Sequence, residues 1–85
     1  MSILKKKLKV HVVFTEQYQV SIHYKHPETE SIKVYLSKAI NVPYFSTESR
    51  KNNHEVASAI AIRDLMLELH VAAMLEYELI EVSYL

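Results

Sequence analysis

No cysteine and no glycine occur among the 85 residues of this chain. Without cysteine there is no disulfide, no thiolate zinc site and no cysteine nucleophile, and the redox compartment stays open. Without glycine no Gly-rich phosphate loop can form. Every turn or helix end that needs a positive φ must then recruit another residue type. Tryptophan is also missing, and proline occurs twice. No stretch approaches the ~20 apolar residues of a membrane-spanning helix. The first residues, "MSILKKKLKVHVVF", hold the lysines of a signal peptide but only a short apolar run before Thr15. A secretory signal is therefore not expected, and the expected compartment is the cytoplasm.

A chain of this length predicts one domain, residues 1–85, burying only about 60 to 65% of its unfolded surface. Ten basic residues balance ten acidic ones, yet the charge is uneven along the chain. Residues 1–38 carry seven lysines and three glutamates, whereas residues 54–85 carry one arginine and six acids. Such a dipole either draws the halves together in the fold or marks two partner surfaces. Small domains with mixed surfaces favour the first. Eight lysines to two arginines, with many Ile, Asn and Tyr, is a composition that AT-rich coding DNA produces. It suggests a low-GC bacterium, a phage or another mobile element as the source.

Leu8, Val10, Val12 and Phe14 form one period-two run, and Tyr18, Val20, Ile22 and Tyr24 form a second. Alternation of this kind predicts half-buried strands. For the two apolar sets to share a face, Phe14 opposes Tyr18 and Val12 opposes Val20, leaving Thr15, Glu16 and Gln17 as a three-residue loop. After the "HPETE" turn, Ile32, Val34 and Leu36 read as a third strand on the same face. Residues 41–53, "NVPYFSTESRKNN", read as a long connection of the kind that is often functional. Asn52 and Glu55 have the spacing of a capping box. Residues 54–75, "HEVASAIAIRDLMLELHVAAML", then read as one helix, although without Gly or Pro punctuation it could run past Glu76. Ile80, Val82 and Tyr84 suggest a final strand. The fold class is α+β: a small antiparallel sheet, a β-β-β meander, on one long helix with a C-terminal strand (β-β-β-α-β).

At 100° per residue the helix shows two apolar groups. One is Ala59, Ile62, Met66, Leu69 and Ala73; the other is Val56, Ile60, Leu67, Val71 and Met74. Arg63 and His70 lie between them, and Asp64, Glu68 and Glu76 form an acidic stripe opposite, with Ala61 and Ala72 interspersed. A small sheet covers one apolar face only. The second is covered by Tyr44 and Phe45 folding back, by a second copy in a helix-mediated homodimer, or by another protein.

Chemistry is sparse. On this reading His11 and His23 sit diagonally on the solvent side of neighbouring strands, about 7 to 8 Å apart, with His26 nearby. No carboxylate is fixed beside them, so they read as ordinary exposed histidines, and no metal or other cofactor is expected. His54 and Glu55 match the start of the zincin helix motif, but Ser58 stands where its second histidine belongs. Nothing in the spacing of the Ser, His and Asp residues marks a catalytic nucleophile, so the expectation is not an enzyme.

What remains is surface. Exposed aromatics and arginine are the usual anchors of interfaces, which points to Tyr44, Phe45 and Arg50 in the long connection. The helix stripe of Arg63, Asp64, Glu68 and His70 is a second candidate. These features suggest a small protein-binding inhibitor or regulator, in profile like a phage anti-defence protein such as an anti-CRISPR. The alternative is a nucleic-acid binder, with Lys9, Lys25, Lys33 and Tyr35 on the outer sheet face neutralising phosphate and stacking a base.

Overall fold

A computed structural model describes residues 13–85. Leu8, Lys9, Val10, His11 and Val12 of the first expected strand lie outside the described residues. The elements are β1 (Phe14–Tyr18), β2 (Val20–Lys25), β3 (Ile32–Leu36), β4 (Ile40–Tyr44), α1 (Thr47–Arg50), α2 (Asn53–Leu69) and β5 (Glu78–Tyr84). The α+β class and the broad order of elements are as expected, including the closing strand. Pairing differs from the meander. β1 and β4 make a two-stranded antiparallel ribbon, while β3, β2 and β5 make a three-stranded antiparallel sheet with β2 in the middle.

Thr15, Glu16 and Gln17 are therefore not a hairpin loop: Phe14–Tyr18 is one strand, and Phe14 faces Tyr44 rather than Tyr18. Burial explains the choice. Tyr18, Val20, Ile22 and Tyr24 are all buried, one continuous period-two run that a hairpin before Tyr18 does not require. Gln19 interrupts the strand and lets the chain cross from ribbon to sheet. Its side-chain amide donates to the Ser37 carbonyl, its own carbonyl accepts from Leu85 N–H, and Val20 N–H donates to the buried Ser37 hydroxyl.

The β2–β3 register sets Ile22 against Tyr35 and Tyr24 against Lys33. A one-residue shift in register exchanges the faces of every side chain. Lys33 and Tyr35 accordingly share the helix side with Ile22, whereas Ile32, Val34 and Leu36 lie on the outer face, exposed by 64%, 59% and 53%. The expectation that these three residues continue the inner face is corrected.

Within residues 41–53 lie most of β4 and all of α1. Pro43 cannot donate to a ladder, and it lies in β4, which among the described residues pairs with β1 alone. Ile40 and Val42 alternate inward and are buried. Ser46 and Ser49 form the capping box, at the start of α1. Asn52 is the N-cap residue of α2 but makes no side-chain capping hydrogen bond.

α2 packs on β4 and β2, across the junction of ribbon and sheet. Its buried face is Asn53, Ala57, Ala61 and Leu65, neither of the two apolar groups read from the helical wheel. At i, i+4 spacing these residues form one stripe. Small alanines let the helix backbone approach a floor of Val20, Ile22 and Val42, while Ile60, Ile62 and Leu69 pack at the margin. Asp64 and Glu68, at the helical spacing that flanks Ala61, thus lie toward the sheet edge.

The helix ends at Leu69, short of Leu75, because His70 turns left-handed with φ 57° and ψ 39°. His70 N–H donates to Leu67 C=O and Val71 N–H to Met66 C=O, the paired bonds of a Schellman ending. Glu30, φ 57°, does the corresponding work in the β2–β3 turn, where its N–H donates to the His26 carbonyl. Both positions are ones that glycine normally takes, and this chain has none.

Two stability measurements check this architecture. Ala61→Leu is expected to overpack the sheet-facing stripe and cost about 1 to 3 kcal/mol in denaturant unfolding, whereas Ala59→Leu, on the exposed side, changes stability by less than about 0.5 kcal/mol. His70→Gly is expected to raise stability, by up to about 1 kcal/mol, by relieving the left-handed strain of a residue with a Cβ.

Candidate functional site

At one end of the β1–β4 ribbon the register places Phe14 opposite Tyr44. Their rings stack with centroids 5.6 Å apart and planes 26° from parallel. Both Phe14 and the following aromatic, Phe45, stay exposed, Phe45 by 67%. The α1 capping box fixes the chain just after them: the Ser49 hydroxyl accepts from Phe45 N–H at 2.9 Å and from Ser46 N–H at 3.0 Å. Phe45 therefore does not fold back over the helix. Phe45 turns outward at the ribbon's end, whereas Tyr44, on the same strand face as Ile40 and Val42, is half-buried beneath Arg50.

Arg50 completes the cluster. Its guanidinium lies 5.5 Å from the Tyr44 ring centroid, and its Nε donates to the Glu16 carboxylate. The guanidinium beside Glu16 is the main reason that this carboxyl is held below the usual glutamate range, with the Tyr18 side chain adding to the effect. The same pairing raises Arg50. Lys51 bonds Glu48 at 2.9 Å on the exposed side of α1. Between these elements lies an open pocket of about 300 Å³, lined by Glu16, Tyr18, Thr47, Arg50, Lys51 and His54.

An aromatic cluster forms the wall behind it. His54 meets Tyr84 edge-on at 4.6 Å and Tyr18 at 5.0 Å, and the Tyr84 hydroxyl donates to the His54 carbonyl at 3.1 Å. The Tyr84 hydroxyl also bonds Ser58. Burial, first of all, pushes the Tyr18 phenol up, so it stays neutral and acts as a hydrogen-bonding group. The pocket wall is built from rigid rings, with cationic side chains and a single carboxylate at its mouth. Such a surface offers flat aromatic area, a preoriented guanidinium and a concavity for a projecting side chain.

The three residues expected from the long connection, Tyr44, Phe45 and Arg50, are thus brought to one place. Phe14, Glu16, Lys51 and His54 join them, and only the β1–β4 pairing could have revealed this.

The second expected stripe divides. Arg63, 3.7 Å from its neighbour Asp64, is exposed, and His70 forms the helix end. Asp64 and Glu68 instead share a hollow of about 430 Å³ with Tyr35, Lys38 and Leu67. Burial first, and then these two acids, raise the Tyr35 phenol.

The expected nucleic-acid face is not assembled. Lys25 shares the outer face with His23, whereas Lys33 and Tyr35 lie on the helix side; Lys9 is outside the described residues. His23 faces Val34 and Glu81 across its two neighbouring strands. His11 falls outside the described residues, among which no group of three His, Asp or Glu could hold a metal ion. No helix of the described residues is long and apolar enough to cross a membrane. Comparison with family models, curated proteins and solved structures finds no match for this chain.

The Glu16–Arg50 pair yields a signed prediction. Since the folded carboxyl titrates low, its contribution is present at neutral pH and is lost as pH falls through that depressed value. An NMR pH titration is expected to place the Glu16 midpoint below that of an ordinary glutamate, and Arg50→Ala to move it upward. An unchanged midpoint in Arg50→Ala would mean that the pair is not formed in solution.

Proposed function

We propose that this chain is a small non-enzymatic protein-binding module that acts as an inhibitor or regulator by occupying a partner protein's surface. The observation that carries the reading is the end of the ribbon, where exposed Phe14 and Phe45 flank a stacked Tyr44 and its Arg50. Aromatic rings bring large contact area with few rotatable bonds, and arginine brings a planar set of donors; these residue types dominate the energetics of interfaces. Ser49 bonds and ring stacking hold the group in place before a partner arrives, which lowers the entropy lost on binding. The partner surface that suits it has an apolar depression for Phe45 and an acidic or carbonyl-rich rim for Lys51 and the free donors of Arg50.

A finer reading rests on composition: a protein encoded by a phage or mobile element, working in the host cytoplasm against a defence system in the manner of an anti-CRISPR. The competing nucleic-acid reading would need Lys25, Lys33 and Tyr35 to act from opposite sides of one sheet. Its distinguishing property is an affinity that falls steeply with salt.

One experiment separates the readings. A photo-crosslinking residue at Phe45 in the full chain, activated in host lysate with and without nuclease, is expected to label one protein in both conditions. With that protein purified, Phe45→Ala and Arg50→Ala are each expected to cost about 2 kcal/mol of affinity, roughly thirtyfold, and Lys25→Ala to leave it unchanged. Labelling that disappears with nuclease, or affinity that depends on Lys25 and Lys33, would overturn the proposal.

A further inference from the structure

The outer face and open edge of β3 are not used by the site above. β3 pairs only with β2 among the described residues. Its ladder bonds have a fixed parity. Ser37 N–H donates to Val20 C=O and His26 N–H donates to Ser31 C=O, so the odd-numbered residues 31–37 turn their backbone groups toward β2. Ile32, Val34 and Leu36 must then turn theirs outward, because antiparallel bonding alternates along a strand. These three are the same residues whose side chains lie exposed on the outer face. Among the described residues, one strand thus presents free donors, free acceptors and a row of apolar side chains, a combination that proteins normally blunt or cover.

We infer that β3 is a self-association edge: a second copy of this chain adds its own β3 antiparallel, on a two-fold axis through Val34. The sequence of the strand selects that register. Centring on Val34 sets Val34 against Val34, Ile32 against Leu36 and Leu36 against Ile32, so all the outward-turned residues of β3 are paired. Shifting the centre by one residue in either direction leaves Ile32 or Leu36 outside the other strand.

The helix side fits as well. Lys33, an inward charge that would otherwise discourage pairing, falls opposite Tyr35 of the second copy. Beside that tyrosine lie Asp64 and Glu68, around the hollow they share with it. On the outer side the apolar row becomes continuous across a six-stranded sheet. This surface is separate from the Phe45 and Arg50 end, so a dimer would carry two copies of the proposed partner site.

Sedimentation equilibrium on the full chain, from micromolar to millimolar, is expected to show a monomer–dimer equilibrium. Val34→Lys should weaken it roughly tenfold or more by setting like charges face to face on the axis. The sequence has no thiol of its own, so Val34→Cys is expected to oxidise to a covalent dimer: hydrogen-bonded antiparallel partners lie about 5.5 Å apart at Cα, within disulfide reach. Ile32→Cys is expected to stay uncrosslinked, since its two copies would be roughly 14 Å apart along the strands.

A monomer at every concentration would overturn the inference. So would equal crosslinking of Ile32→Cys, or a dimer indifferent to Val34→Lys and lost in Leu67→Glu, which would place the contact on the helix. Circular dichroism of Val34→Lys separates lost association from lost fold. Should that variant unfold, the crosslinking of Val34→Cys against Ile32→Cys decides.

Discussion

The close approach of α2 to the strand β2 is the contact on which the other elements depend. β2 is buried along its inner row, Val20, Ile22 and Tyr24, and both neighbouring strands of its sheet hydrogen-bond to it. The helix meets this floor with Ala57 and Ala61, each fully buried, and closes the far end with Leu65. Buried alanine adds little apolar area of its own, but it brings the helix backbone close enough for larger residues at the margin to reach the sheet. β4 contributes Ile40 and Val42 to the same core, and this joins the ribbon to the sheet. Among the described residues the core is a single cluster, and an error of one residue in any strand's register would remove one of its walls.

Absence of glycine bears on the two sharp reversals. Glu30 and His70 adopt left-handed geometry that carries a steric cost for any residue with a Cβ. Both are held there by backbone hydrogen bonds across the turn. His70 therefore has a structural explanation as the helix end. Its conformation also decides where the chain leaves the helix, and so where β5 can reach the free side of β2.

Charge is arranged locally. The Glu16–Arg50 pair ties the ribbon to α1, and Lys51, just past the end of α1, pairs back onto its Glu48. Across the sheet the early basic and late acidic parts of the chain do meet in register, Lys25 opposite Glu78 and His23 opposite Glu81. Lys38 lines the same hollow as Asp64 and Glu68. The uneven charge along the sequence is thus partly folded together, consistent with a small domain of mixed surface. Exposed ion pairs of this kind add little stability; their effect here is to orient Arg50 at the ribbon end.

Much of the fold was legible locally. Period-two runs mark β2 and, less regularly, β5; the helical run from residue 54 onward marks α2; the aromatic and arginine content of residues 44–50 marks the candidate site. The amino-acid sequence by itself determined these element types, the exclusion of thiol and glycine-loop chemistry, and the residue classes available for contact, because propensity and composition are properties of short stretches. Only the tertiary structure decided that Phe14 meets Tyr44, that Ile32, Val34 and Leu36 face outward, and that Ala57, Ala61 and Leu65 face the sheet. The reason is that strand register and helix rotation are set by burial against residues far along the chain. Ile22 can face Tyr35 only because the turn at residues 26–31 closes there, and an alternating pattern read strand by strand is equally satisfied by the neighbouring register.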